Sequence, residues 1–174
     1  MNLMKAIKFL LVLLLVFFIS CNSDQANIEA KEALINANLE LFIKTFHNKK
    51  DDVAQLKNIV EESYVRKING VIVASNLQEL KANIHFFFSG FPDFNLVNNK
   101  SYIKDNDVFM YWTFTGSNIA EFAEHPATGK KVTVNGFSHM YFNNQGKLYK
   151  EEVFYNELDL LQQLGYTLKT PVVE

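Results

Sequence analysis

At Gly90-Phe91-Pro92 the apolar residues of this chain change their spacing, and that change sets its fold class. Before it they recur every three or four positions. Ile35, Leu39, Phe42, Ile43 and Phe46 fall on one side of a helix predicted over 27–47. The polar run from His47 to Asp52 breaks it, and Asp51 or Asp52 can cap a second helix reaching Val60. Glu61 to Val65 reads as a short connector carrying Tyr64, and Asn69-Gly70 as a turn. Ser75 or Asn76 can cap a third helix, Leu77 to Ser89, which Gly90 and Pro92 end. After that point the period is two. Strands are predicted over Phe94 to Ile103, Val108 to Gly116, Lys131 to Phe142 and Lys147 to Tyr155. Asp105-Asn106-Asp107 and the hairpin turn Asn143 to Gly146 separate neighbours, and Ser117 to Gly129 is a loop containing His125. Glu157 to Leu164 closes as a short helix. Three helices followed by a run of antiparallel strands make an α+β domain. A curved sheet wrapped around the helices makes a cone with a pocket at its open end.

The N-terminus carries a different kind of signal. Lys5 and Lys8 precede an unbroken apolar run, Phe9 to Ile19, and Ser20 stands before Cys21. This is the layout of a secretory signal peptide, and the run is shorter than the roughly 20 residues a spanning helix needs. Cys21 is the only cysteine, and Phe18-Ile19-Ser20-Cys21 resembles a bacterial lipobox with an untypical residue three before the cysteine. The reading is a lipoprotein of the bacterial cell envelope, exported and held to a membrane by lipid, palmitate included, on Cys21. The same run also fits a plain secretory signal, or an anchor with an incidental cysteine.

Removing residues 1–20 from the 174 leaves 154, enough for one domain with its own core. Lys5 and Lys8 leave with the signal, so the formal charge moves from −2 to −4. That balance argues against a nucleic-acid partner, which favours a basic face. Arg66 is the only arginine, which excludes a phosphate clamp built from several. With Cys21 taken by lipid there is no disulfide framework and no thiol nucleophile. The four histidines lack metal-ligand spacing, and no phosphate loop or serine elbow appears. The 16 phenylalanines favour a large aromatic-lined interior.

Several segments occur in an ordered series: Phe91-Pro92-Asp93-Phe94, Trp112 to Gly116, Pro126 to Val132, Gly146-Lys147 and Glu157 to Gly165. The Asp52-Val53 helix leading to Tyr64-Val65 precedes them. In order and spacing they resemble the SnoaL-like polyketide cyclase family, also called ester cyclases, over about residues 30 to 165. The resemblance implies the nuclear-transport-factor-two-like fold. That fold is a cone-shaped barrel of curved antiparallel or mixed sheet around about three N-terminal helices, and in many members a homodimer forms through the sheet. It also implies ring closure by intramolecular aldol condensation, or isomerisation, without metal or cofactor. The expected organisation is a signal over 1–20, lipidated Cys21 and a tether over 21–27, a SnoaL-like domain over 28–165 and a C-terminal tail over 166–174.

The family's catalytic pair is an aspartate on the last long strand and a histidine on the strand before. Counted from Gly146-Lys147 and Gln163-Leu164-Gly165, the histidine position falls on His139 and the aspartate position on Val153. Valine transfers no proton, so the departure bears directly on activity. Strand alternation groups Tyr149, Glu151, Val153 and Tyr155 on one face, opposite Lys150, Glu152 and Phe154. If that face looks into the pocket, Glu151 lies one pleat from Val153, about 7 Å away, and His139 could pair with it. Tyr141 shares the face of His139. Each residue also has a plainer reading: His139 as part of the barrel wall, Glu151 as a solvated member of Lys150-Glu151-Glu152, and Trp112 as packing. Tyr64 is placed near the pocket mouth, and both faces of Val108 to Thr115 are aromatic.

Three functions are compatible with these residues. One is a cyclase or isomerase acting on a small, largely apolar carbonyl compound, with His139 and Glu151 as acid and base and Tyr64, Trp112, Tyr141 and Val153 lining the pocket. The second is a lipoprotein that binds such a molecule without chemistry, since Val153 leaves an apolar cavity. The third is an interaction module or dimer using the outer sheet face.

Overall fold

The computed structural model describes residues 25–46 and 52–170. The signal segment 1–20, Cys21 and His47 lie outside the described residues. Helix α1 covers residues 25–44, so residues 25–27, expected as tether, form its first turn. Its apolar stripe is the one expected: Ile35, Leu39, Phe42 and Ile43 are buried, as is Phe46 just beyond. Among the described residues, no helix is long and apolar enough to cross a membrane.

Helix α2 (Asp52–Ile59) stops one residue short of the expected end, and the segment after it is a strand rather than a connector. Val60–Ile68 is strand β1, joined through Asn69-Gly70 to β2 (Val71–Ala74). Asn69 and Gly70 take positive φ of 49° and 87°, the conformation a two-residue hairpin turn requires. The Asn69 amide also donates to the Val153 carbonyl at 2.8 Å, tying this hairpin to the far end of the chain. Helix α3 (Leu77–Gly90) is capped by Asn76, whose side chain accepts from the Glu79 amide while Glu79 accepts from the Ser75 amide.

Strands β3 (Asn95–Lys104), β4 (Asp107–Ser117), β5 (Lys131–Phe142) and β6 (Leu148–Tyr155) fall where period two places them, and α4 (Glu157–Leu164) closes the series. The sheet order is β2-β1-β6-β5-β4-β3. All neighbours are antiparallel except β1 and β6, which run parallel. The six strands form an open mixed sheet packed against the helices rather than a closed barrel.

One face of the sheet is the core wall. On β5 the residues turned to it are Val132, Val134, Ser138, Met140 and Phe142. On β6 they are Leu148, Glu151 and Val153. An irregularity between Tyr141 and Phe142 shifts the β5–β6 register and turns Tyr149 out to solvent, correcting its expected place beside Glu151. The loop after β4 is held by Asn118, which is buried. Its amide donates to the Gly90 and Ala120 carbonyls, and its oxygen accepts from the Thr128 amide and hydroxyl.

Candidate functional site

The strand pairing dictates which side chains meet. Arg66 on β1 is in register with Glu151 on β6, Glu151 with Met140 on β5, and Ser138 with Val153. Trp112 on β4 faces Gly136 on β5. A β-carbon at Gly136 would overlap the indole, so glycine there lets the ring lie flat across the strand. The indole Nε1–H then donates to Ser138 Oγ at 3.1 Å, and Ser138 donates to Glu151 Oε1 at 2.9 Å. From the other side, the Tyr64 hydroxyl donates to Glu151 Oε2 at 2.7 Å. Arg66 Nε stands 3.5 Å from the same oxygen, its guanidinium also facing the Phe46 ring.

Glu151 is only 2% exposed, Ser138 1% and Tyr64 is fully buried. Taking a carboxylate and a guanidinium out of water is unfavourable, and an apolar pair of the same volume is often as stable. Each such group in a core is therefore a candidate for function. Burial pushes the Tyr64 phenol well above its usual ionisation range, and the neighbouring charge of Glu151 adds to that. It stays a phenol, and hence a donor. Burial likewise raises Tyr155 to about 12, with Glu157 adding and Arg66 opposing.

Beside this network is a cavity of about 50 Å³, room for a few waters or the reacting end of a small molecule. Its wall is mostly aromatic and aliphatic, with Phe46, Phe94, Met110, Trp112 and Val153 among the lining residues. Polar side chains enter it at Arg66, Ser138, Glu151 and Tyr155. A carboxylate offers about four acceptor positions, and the Tyr64 and Ser138 hydroxyls take two of them. The rest stay open to a guest, which suits Glu151 to exchange a proton with a molecule held against it.

The expected site residues divide between the two faces of the sheet. Glu151, Trp112 and Val153 line the cavity. Tyr64 is not at a mouth; it stands behind Glu151 and holds it. His139 and Tyr141 are corrections. Inward positions on β5 are even-numbered, so both project from the opposite face. His139 pairs across the strands with Glu152, stacks between Phe109 and Tyr141, and reaches Asp107 Oδ1 at 3.2 Å. The expected His139–Glu151 pair does not form. His125 lies exposed against Tyr166, and His85 is exposed on α3.

Arg66 and Ser138 were not expected. Ser138 carries a readable signal, since it continues the alternation Val132, Val134, Gly136 and precedes Met140. Arg66 lies one residue beyond the expected connector, Glu61 to Val65, in a stretch for which no strand was expected.

A family model, SnoaL-like polyketide cyclase, matches residues 37–164. The chain belongs to that family. Solved structures agree in fold. TsrD from Streptomyces laurentii superposes with a TM-score of 0.66 at 19% identity, covering 76% of this chain and 96% of its own. A SnoaL-like polyketide cyclase from Agrobacterium tumefaciens gives 0.61 at 15%, covering 75% and 98%. A phenazine biosynthesis-related protein from Pseudomonas aeruginosa gives 0.63 at 18%, covering 84% and 96%. No curated protein matches the chain in sequence. Within this SnoaL-like frame, the position counted as the family's aspartate, Val153, does face the cavity, and the nearest carboxylate on that face is Glu151.

Proposed function

We propose that this SnoaL-like protein binds a small, largely apolar carbonyl compound in the cavity and that Glu151 moves a proton on it, in cyclase or isomerase chemistry run by the protein's own side chains. The observation that supports this most is a buried carboxylate, held by Tyr64 and Ser138, at the wall of a mostly apolar cavity. A positioned acid or base contributes about 10²–10⁴-fold in rate. Native mass spectrometry of the full chain extracted from its own cells is expected to recover a bound small molecule. Glu151→Gln is expected to lower its conversion by that factor. If wild type and variant both bind the molecule and neither converts it, the protein is a binder, the reading that Val153 favours.

Two further readings go with it. The chain is exported and lipid-anchored, a reading supported by Lys5 to Cys21. Metabolic labelling with palmitate is expected to mark the wild type and not Cys21→Ala. A homodimer forms through the outer sheet face. Tyr111 and Phe154 there are 50% and 45% exposed, and both rings neighbour Phe137. Sedimentation is expected to show a dimer that Tyr111→Glu with Phe154→Glu converts to monomer; a wild-type monomer at tens of micromolar would remove the dimer reading.

A further inference from the structure

The cavity holds a donor that the proposed proton transfer does not use. Arg66 is 9% exposed, lines the cavity, and its Nε–H is buried without a hydrogen-bond partner among the described residues. Glu151 Oε2, 3.5 Å away, balances its charge but does not accept that proton in hydrogen-bond geometry. An orphaned donor on a buried cation is unfavourable, and a bound acceptor relieves it. Here the chain's only arginine, on the strand parallel to that of Glu151, lines a largely aromatic cavity.

We propose that Arg66 is the specificity-determining residue of this cavity. It accepts a ligand whose polar end is a neutral oxygen acceptor, a ketone, aldehyde or ester carbonyl, and rejects the corresponding carboxylate. This rests on the small-molecule reading of the same cavity. The charge argument decides the ligand class. Arg66 and Glu151 already form a neutral pair. An anionic oxygen placed on Arg66 Nε would lie beside the Glu151 carboxylate with little water to screen the two. A cation would meet the guanidinium. A carbonyl adds no charge, takes the free Nε–H, and leaves its apolar body to Phe46, Phe94 and Val153. The same placement sets the carbon next to the carbonyl near Glu151, and Arg66 then acts on the carbonyl oxygen directly.

The test uses the full chain in detergent, with empty micelles as the control, and three probes of similar size: cyclohexanone labelled with carbon-13 at its carbonyl, cyclohexanecarboxylate and methylcyclohexane. Cyclohexanone is expected to bind at least about tenfold more tightly than either of the others. Its carbonyl resonance is expected to move downfield on binding, because a donated hydrogen bond polarises the C=O bond. Arg66→Met is expected to remove both the preference and the shift. If that variant does not fold, the wild-type preference and shift decide alone. A carboxylate that binds as tightly as the ketone overturns the inference, and so does a shift that persists in Arg66→Met. Equal binding of ketone and methylcyclohexane overturns it while leaving the cavity reading intact. Failure of all three probes to bind overturns both.

Discussion

Replacing Glu151 with alanine is expected to lower stability by about 3–5 kcal/mol, because it leaves the Arg66 guanidinium buried without its counter-charge. The Tyr64 and Ser138 hydroxyls lose their acceptor in the same step. At about 2–4 °C per kcal/mol for a chain of this size, the melting temperature falls by roughly 6–20 °C. Denaturant unfolding of the wild type and Glu151→Ala checks this. The double variant Glu151→Leu with Arg66→Met separates the causes. Removing both charges together is expected to restore much of the loss, since an apolar replacement of a buried pair is often neutral. Equal losses in the single and double variants would show that the unpaired Arg66 charge is not the cause of the loss. A negligible loss in Glu151→Ala would mean that Glu151 is solvated, as the charge run Lys150-Glu151-Glu152 suggests on its own.

Trp112→Ala is the second large effect, about 3–5 kcal/mol by the usual cost of truncating a buried aromatic. Trp112 is 7% exposed, and its ring fills the space over Gly136 and anchors Ser138. Gly136→Ala acts on the same ring from behind. The added methyl pushes the indole toward the cavity, costing about 1–3 kcal/mol by overpacking. The two variants destabilise alike but change the cavity in opposite directions. Trp112→Ala is expected to admit larger guests and Gly136→Ala to exclude even small ones. Equal binding in both variants would place the ligand outside this cavity.

Most of the fold is legible in the spacing of apolar residues. The stripe of α1, the Asn76 cap of α3 and the strands β3 to β6 all come from it, because each is a long segment with one periodic face. Strand β1 is not legible in this way. Its inward residues are Tyr64, Arg66 and Ile68, and a charged side chain at the centre of that set removes the apolar alternation. The parallel partner that stabilises β1 lies more than 80 residues away in sequence, at β6. The site was half legible for a related reason. Glu151 could be placed on the Val153 face by alternation. His139 takes its expected place from the family's spacing alone, and its strand offers no contrary signal, because the outer face of β4 and β5, with Phe109, Phe137 and Tyr141, is as aromatic as the inner one. Only the even-numbered series from Val132 to Phe142 separates the two faces, and it assigns the cavity to Ser138.

Trp112 is the only tryptophan of the chain, and it lines the cavity. Its fluorescence therefore reports directly on the space beside Glu151. Titrating the full chain with the small molecule recovered from its own cells is expected to give a saturable change in that emission, with one molecule bound per chain, and Phe154→Glu on the outer face is expected to leave it unaltered. Saturable binding with no change in Trp112 emission would place the ligand elsewhere and contradict the cavity as the functional site.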